Sequence, residues 1–223
     1  MSPFYRWSLL LMVAIAARTA SAQLQVYSLP PARIGLIGGM NEATFDSDAP
    51  GLTNRSAFVG GISYINPLSI HRSFQMDILY SAKGAKSEDA TSDATATLKF
   101  NYISVPLMLR TEFPTTSRAR AFIHGGAAFD YRIGCGGEAT FGSQKATTSC
   151  DELKQSLAPG KSFNRFDWGP VLGGGFALDV GSRTLSLGVR YELGMRDLVS
   201  DGEHLKNRTL SFVASLEAPL PRK

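Results

Sequence analysis

The stretch Thr184–Met195, TLSLGVRYELGM, alternates between two kinds of side chain. One set is apolar and consists of Leu185, Leu187, Val189, Tyr191, Leu193 and Met195. The other set is small or charged and consists of Thr184, Ser186, Gly188, Arg190, Glu192 and Gly194. Because successive side chains of a β-strand point to opposite faces, this pattern predicts a strand whose two faces meet different surroundings.

The same alternation recurs along the chain and predicts eight strands. We place them at about 33–43, 57–66, 73–84, 98–113, 119–132, 166–180, 183–196 and 208–219. The residues of the second strand do not indicate which face is which. In the fourth strand the apolar phase shifts between Tyr102 and Ile103, which predicts a β-bulge there. No amphipathic helical stripe is evident.

The connections between these strands alternate in length. The long ones cover 44–56, 85–97, 133–165 and 197–207, and the short ones are PLSIHR (67–72), PTTSR (114–118) and GSR (181–183). Tight turns at one end and long loops at the other are typical of outer-membrane barrels, and an even strand count returns both chain ends to the periplasmic side. The sequence therefore predicts an all-β fold, an eight-stranded antiparallel up-and-down transmembrane β-barrel.

The N-terminus has the features of an export signal. Arg6 precedes a short apolar run, Ser8 to Ala17, and the small residues Ala20-Ser21-Ala22 follow. This order predicts a signal peptide at residues 1–22, cleaved before a single barrel domain at 23–223. A transmembrane anchor is the alternative, but the apolar run is shorter than a spanning helix requires. We expect the mature protein in the cell outer membrane of a Gram-negative type of envelope.

In such a barrel the apolar face contacts lipid, and aromatic side chains gather near the two interfaces. The candidate girdle residues are Tyr80, Tyr102, Phe113, Phe129, Tyr131, Phe166 and Trp168. Eight strands leave a lumen that only side chains can fill, so buried charges there must be paired. The predicted lumen ion-pair network contains Asp77, Arg110, Glu112, Arg120, His124, Asp130, Arg190 and Glu192. In particular, we expect Glu112 to face Arg120 across a short hairpin.

A soluble lipocalin-like binding barrel is the rival fold, with apolar residues inside and polar residues outside. Its outer face would carry many lysine and glutamate side chains. The polar face of this chain instead combines small residues with scattered charges of both signs. That composition suits a crowded interior better than a solvated surface.

Composition excludes some function classes. The net charge of +4 is mild and the basic residues are not clustered, so we expect no nucleic-acid partner. Cys135 and Cys150 form an even pair in an exported chain, which predicts a disulfide worth about 3 kcal/mol in the longest loop. Free thiols or a metal site are the alternatives. The three histidines are scattered, so we expect no metal and no cofactor.

Glycine-rich GLIGGMNEA (35–43) and the stretch APGKS (158–162) resemble parts of nucleotide-binding loops. Neither has the complete motif, and no helix is predicted after the first. Glycines inside a tightly curved barrel strand are the simpler interpretation of Gly35, Gly38 and Gly39.

Three segments resemble a known family. LKFNYISVPLMLRTEF (98–113) is similar to a strand of the PorT-like outer-membrane β-barrel proteins in which an aromatic residue precedes Ile/Val-Pro-x-x-Leu-Lys/Arg. LGVRYELGMRDL (187–198) resembles their Arg-Tyr-x-x-Gly-Leu/Met strand, and NRTLSFVASLEA (207–218) resembles their closing strand. The resemblance implies an eight-stranded outer-membrane barrel, and some members are linked to protein secretion and gliding.

Two function classes remain open. The first is a non-enzymatic barrel with a structural, loop-presenting or secretion-associated role, whose partners are outer-membrane lipid and other envelope or secretion proteins that contact its loops. The second is an outer-membrane enzyme acting on lipid or peptide, for which His124 with Asp130 or Glu112 is the only candidate. We favour the first class, and we expect no catalysis because a lumen histidine is more often structural. A pore is disfavoured by the small strand number.

Overall fold

The computed structural model describes residues 29–46, 51–89, 94–115, 118–157, 163–200 and 205–221. The predicted signal peptide and its cleavage site lie outside the described residues. The elements are β1 (Arg33–Asp46), β2 (Leu52–Pro67), β3 (Arg72–Asp89), β4 (Ala94–Pro114), β5 (Ala119–Phe141), β6 (Gln144–Ser149), α1 (Cys150–Leu157), β7 (Phe166–Val180), β8 (Arg183–Leu193) and β9 (Lys206–Pro219). Within these residues, no helix is both long and apolar enough to cross a bilayer.

Eight of the strands close into a ring. Its order is β1-β2-β3-β4-β5-β7-β8-β9, and β1 also pairs with β9, so the first and last strands complete the cylinder. All the pairings are antiparallel. The predicted eight-stranded antiparallel barrel is confirmed. The remaining strand, β6, lies outside the ring and pairs with the end of β5.

The two faces of β8 point as the alternation predicted. Leu187 is 49% exposed on the outer surface, whereas its neighbour Ser186 is 4% exposed. Arg190 is likewise buried while Val189 is exposed. A closed ring leaves no open sheet edge around the barrel, and an apolar exterior with a mainly polar interior suits hydrocarbon surroundings. The lipocalin-like alternative requires the opposite orientation and is contradicted.

The faces of β2, which the sequence left unassigned, are apolar on both sides. Phe58 and Ile62 point outward, whereas Val59 and Ile65 are buried in the lumen. Val59 packs there with Ile37 and Leu79 in a small apolar cluster. Because part of the lumen is apolar, alternation between polar and apolar residues is lost in this strand.

Glycines allow neighbouring strands to approach closely inside the barrel. A Cβ atom on Gly39 would lie 1.9 Å from the backbone oxygen of Phe212, and one on Gly175 would lie 1.9 Å from that of Leu187. Both glycines are in strands, and among the described residues the element that follows β1 is the strand β2. The GLIGGMNEA glycines are therefore barrel-strand glycines, as the sequence interpretation held.

The prediction of a β-bulge in β4 is wrong. Phe100, Tyr102 and Ser104 are all buried, so the strand alternates without interruption through this region. The register shift lies on β5, where Ile133 is left over between the partners of Asn101 and Tyr102. The apparent phase shift arises because Phe100 and Tyr102 are large side chains that point inward. Tyr102 is therefore also wrongly placed in the predicted girdle.

The long-loop end is more ordered than the sequence predicted. The predicted loop 85–97 is mostly a continuation of β3 and β4, which pair from Asp89 and Ala94 onward. The helix α1 was not predicted. The sequence feature that indicates this helix is a capping box. The backbone N–H of Glu152 donates to the Ser149 hydroxyl at 3.4 Å, and the backbone N–H of Ser149 donates to the Glu152 carboxylate at 2.8 Å.

Candidate functional site

The lumen near the short turns is built around one carboxylate, Glu112 on β4. Its Oε1 lies 2.9 Å from Nη2 of Arg33 and 3.0 Å from Nε of Arg110. Its Oε2 lies 2.8 Å from Nε of Arg120, across the short turn between β4 and β5. Glu112 and Arg120 thus share the inner face. Three guanidinium groups around one carboxylate need further acidic partners.

Asp179 on β7 supplies one of these partners. Arg120 donates to both of its carboxylate oxygens, with Nη2 at 2.7 Å from Oδ1. Thr184, just after the short turn between β7 and β8, donates to Oδ1 at 3.0 Å. The bidentate geometry fixes Arg120 between β4 and β7.

Glu217 on β9 supplies the other partner. Its Oε2 lies 3.2 Å from Nε of Arg33, and its Oε1 accepts hydrogen bonds from Ser186 at 3.0 Å and Ser215 at 2.8 Å. The Glu217 side chain is fully buried. Arg33, Asp179 and Glu217 were missing from the predicted network, although Asp179 and Glu217 lie on the polar faces of their strands.

Midway along the lumen, Asp77 and Arg190 form a second buried pair. Oδ2 of Asp77 lies 2.6 Å from Nη1 of Arg190. The Gln75 side chain donates to the same carboxylate at 3.2 Å and reaches Ser63 at 3.4 Å. This layer ties β3 to β8 across the barrel interior.

His124 lies in the same part of the lumen, but no carboxylate orients it. In the part of the chain that the structure describes, neither ring nitrogen has a hydrogen-bond partner, so neither Asp130 nor Glu112 forms a dyad with it. The ring centroid is 5.5 Å from that of Phe122, and a Cβ on Gly173 would lie 2.5 Å from Nε2. His124 thus fills the space left by a glycine on the neighbouring strand. A histidine without an orienting group lacks the arrangement that general base catalysis needs.

A third charged layer lies toward the long loops and centres on Lys83. Its Nζ is 2.6 Å from Oδ2 of Asp130 and 2.5 Å from Oε1 of Glu192. The ammonium also lies 5.5 Å from the centroid of the Tyr102 ring. Lys83 was not in the predicted network, although it lies on the same face of β3 as Asp77.

Above this layer the lumen is closed by an apolar cap, which consists of Phe45, Ala85, Phe100, Tyr102, Leu153, Phe163 and Leu198. Phe100 makes edge-to-face contacts with Phe45 and Phe163, with ring centroids 5.7 and 6.0 Å apart. Arg132 fixes the loop that carries Phe163 by donating to its backbone oxygen at 3.1 Å. The charged layers and the cap together occupy the lumen at successive levels from the short turns to the long loops.

Beyond the cap, the strands continue as a sheet that we call the β-extension, comprising 84–89, 94–99, 134–141 and 144–149. The predicted disulfide is present. It joins Cys135 on β5 to Cys150 at the start of α1, with Cα atoms 5.0 Å apart. Because Leu153 of α1 belongs to the apolar cap, the disulfide links the β-extension to the closure of the lumen.

Ion pairs also cross the β-extension. Glu138 on β5 pairs with Lys99 on β4 and with Lys145 on β6, the latter at 3.7 Å. The hydrogen bond from Lys99 lowers the pKa of the Glu138 carboxyl below its ordinary range. Among the described residues, no group of three or more acidic, histidine or cysteine side chains could hold a metal ion.

A sequence-family model described as "Outer membrane protein beta-barrel domain" matches residues 22–200. Among solved structures, Neisserial surface protein A is 13% identical, with a TM-score of 0.48 over 85% of this chain and 97% of that chain. OprG from Pseudomonas aeruginosa is 11% identical, with a TM-score of 0.48 over 87% and 98% of the two chains. Ail, the attachment invasion locus protein of Yersinia pestis, is 12% identical, with a TM-score of 0.42 over 84% and 99%. No significant match was found among curated protein sequences.

Proposed function

Because the chain belongs to the outer membrane protein beta-barrel domain family, we propose that it is a non-enzymatic barrel that presents its β-extension to partner proteins outside the cell. In an outer-membrane barrel the short turns face the periplasm and the long loops face outward. The β-extension and the apolar cap are then on the external side.

The observation that carries this proposal is the position of β6. It pairs with Gly136–Phe141 of β5 along one edge, and in the described residues no further strand pairs with its other edge. An unpaired strand edge exposes backbone donors and acceptors in a row, to which an extended segment of another protein can add. Thr147, in the middle of β6, is exposed.

The β-extension is held in place before any partner binds. The Cys135–Cys150 disulfide constrains the end of the β-extension that is nearest to the barrel, and the Glu138 ion pairs link three of its strands. A binding surface that is already ordered loses less conformational entropy on association than a flexible loop does. These constraints support a presenting role rather than a passive loop.

Two alternatives are less well supported. A pore requires an open lumen, whereas charged layers and the apolar cap occupy this one, so we expect no steady conductance in planar-bilayer recordings. An enzyme requires an oriented base, and among the described residues no carboxylate pairs with His124.

Site-specific photo-crosslinking in intact cells tests the proposal. A photoreactive amino acid at Thr147 is expected to give a discrete protein adduct. The same group at Ser182, which is exposed in a short periplasmic turn, is the matched control. An adduct at Thr147 that is missing, or that is identical to the one at Ser182, would contradict presentation by β6.

A secretion-associated role is the finer form of this proposal. It rests on the resemblance of residues 98–113, 187–198 and 207–218 to PorT-like strands. The test compares the secreted proteins of a strain that lacks the gene with those of a strain complemented by a chain without residues 142–149. Secretion at the level of the parent strain in the strain that lacks the gene would contradict this role. That result would not contradict presentation of the β-extension to partner proteins.

A further inference from the structure

Two apolar grooves lie on the outer surface beside the seam between β1 and β9, and the larger one extends across β8 to β7. The groove nearer the periplasm, here the periplasmic groove, has a volume of about 380 Å³ and is lined by Ile34, Gly35, Leu36, Ile62, Arg183, Leu216 and Ala218. The second, here the external groove, has a volume of about 800 Å³ and includes Gly38, Met40, Glu42, Phe212 and Ala214. Both lie on strands that face lipid.

The walls of the periplasmic groove are exposed aliphatic side chains. Leu36 is 72% exposed, and its partners in the two neighbouring ladders, Ile62 and Leu216, are also exposed. One row closer to the periplasm, Ile34 pairs with the small residue Ala218, which leaves space beside it. An aliphatic trough that runs along the strands matches the cross-section and chemistry of an acyl chain.

Among the described residues that line this groove, one carries a positive charge, Arg183, and it lies at the periplasmic end. Arg183 is the first residue of β8 and follows the two-residue turn Gly181–Ser182. The turn therefore places Arg183 at the periplasmic edge of the barrel. Its side chain is exposed and makes no ion pair or hydrogen bond with the described part of the chain. A guanidinium at the boundary between hydrocarbon and water is suited to bidentate contact with a phosphate.

The external groove lacks this feature. It includes Glu42, whose Oε1 accepts a hydrogen bond from Ser56 at 2.5 Å. A carboxylate at that position repels a phosphate. The charge at the end of each groove therefore distinguishes two otherwise similar apolar surfaces.

We propose that the periplasmic groove binds one diacyl phospholipid of the periplasmic leaflet. Its phosphate contacts Arg183, and one of its acyl chains lies along Leu36, Ile62 and Leu216. The seam between the first and last strands would then carry a bound lipid in addition to the general lipid annulus.

Native mass spectrometry of the protein in detergent tests this site with dioleoyl phosphatidylglycerol as the probe. We expect Arg183→Gln to raise the apparent Kd about tenfold, as expected for the loss of one charge-assisted contact. Arg72→Gln is the matched control, since Arg72 is exposed at the same end of the barrel but does not line the groove. It should change the Kd by less than about twofold.

A second variant tests the acyl chain separately. Ala218→Phe fills the groove but keeps Arg183, and it should weaken binding about as much as Arg183→Gln does. Dioleoyl glycerol, which lacks the phosphate, should bind the wild type as weakly as phosphatidylglycerol binds Arg183→Gln. Gel migration with and without heating confirms that each variant is folded. If one of the two variants does not fold, the other variant alone still tests the proposal.

Three results would overturn the proposal. The first is an equal loss of binding in Arg183→Gln and Arg72→Gln. The second is equal binding of dioleoyl glycerol and phosphatidylglycerol. The third is full competition by millimolar inorganic phosphate, which would identify an anion site that needs no acyl chain.

Discussion

Nζ of Lys83 lies 2.6 Å from Oδ2 of Asp130, and both side chains are 1% exposed although they lie 47 residues apart. The same ammonium reaches Glu192, so one cation stands between two carboxylates inside the barrel. Such a group is stable only as a unit, because each charge has given up its water for the others. The loss of Lys83 therefore leaves two buried carboxylates without their cation.

We expect Lys83→Met to destabilise the barrel by about 3–5 kcal/mol, because Asp130 and Glu192 are left facing each other without a cation. Urea unfolding from lipid vesicles, followed by Trp168 fluorescence, measures the change.

Lys99→Met is the matched control. Its pair with Glu138 is partly exposed, so the cost should stay below about 1 kcal/mol. Equal losses in the two variants would show that burial of the Lys83 cluster does not matter.

The part of the fold that the sequence predicted best is the membrane-spanning half of each strand. The seventh strand of the structure, Phe166–Val180, has the predicted bounds because its two faces differ clearly in polarity. Outside the bilayer both faces meet water, so the period-two signal fades. That is why β3 and β4 extend beyond the predicted ends.

The lumen residues were predictable one strand at a time, but their partners were not. The alternation of the sequence placed Arg110 and Glu112 on the inner face of β4. The same alternation, followed two residues further along each strand, would also have placed Lys83 on the inner face of β3 and Arg33 on that of β1. The contact between Arg33 and Glu112 spans 79 residues and crosses the lumen between strands that are not neighbours. Such contacts depend on ring closure and side-chain length, which no local pattern contains.

Removing the disulfide should loosen the external side without unfolding the barrel. The bond closes a loop of 15 residues, worth about 3 kcal/mol on the chain-entropy model. We expect Cys135→Ser together with Cys150→Ser to speed protease cleavage within α1 by roughly 100- to 200-fold, which is the change in local opening to which about 3 kcal/mol corresponds. Gel migration of the heated and unheated protein should stay as in the wild type. Unchanged cleavage would show that Leu153 and the apolar cap hold α1 alone.

The start of α1 should depend on pH through Glu152. The backbone N–H of Ser149 donates to its carboxylate and lowers its pKa below the ordinary value of 4.5. A lowered pKa contributes stability above pH 4.5, and that contribution is lost as the pH falls through the folded pKa. Hydrogen exchange at the first amides of α1 should therefore show less protection, after correction for intrinsic rates, as the pH falls below 4.5. Glu152→Gln should remove this pH dependence, and a wild type without it would contradict the capping role.

The outward direction of Leu187 leads to the most direct test of the membrane orientation. Leu187 lies near the middle of β8 and is exposed, so Leu187→Arg places a charge near the bilayer centre at a cost of about 2–4 kcal/mol. Leu220 is also exposed, but it lies just beyond β9 at the periplasmic edge, so Leu220→Arg should cost only about 0–1 kcal/mol. The two variants make the same chemical change and differ in depth, and urea unfolding from lipid vesicles compares them. Equal costs would mean that the outer surface of the barrel does not meet hydrocarbon.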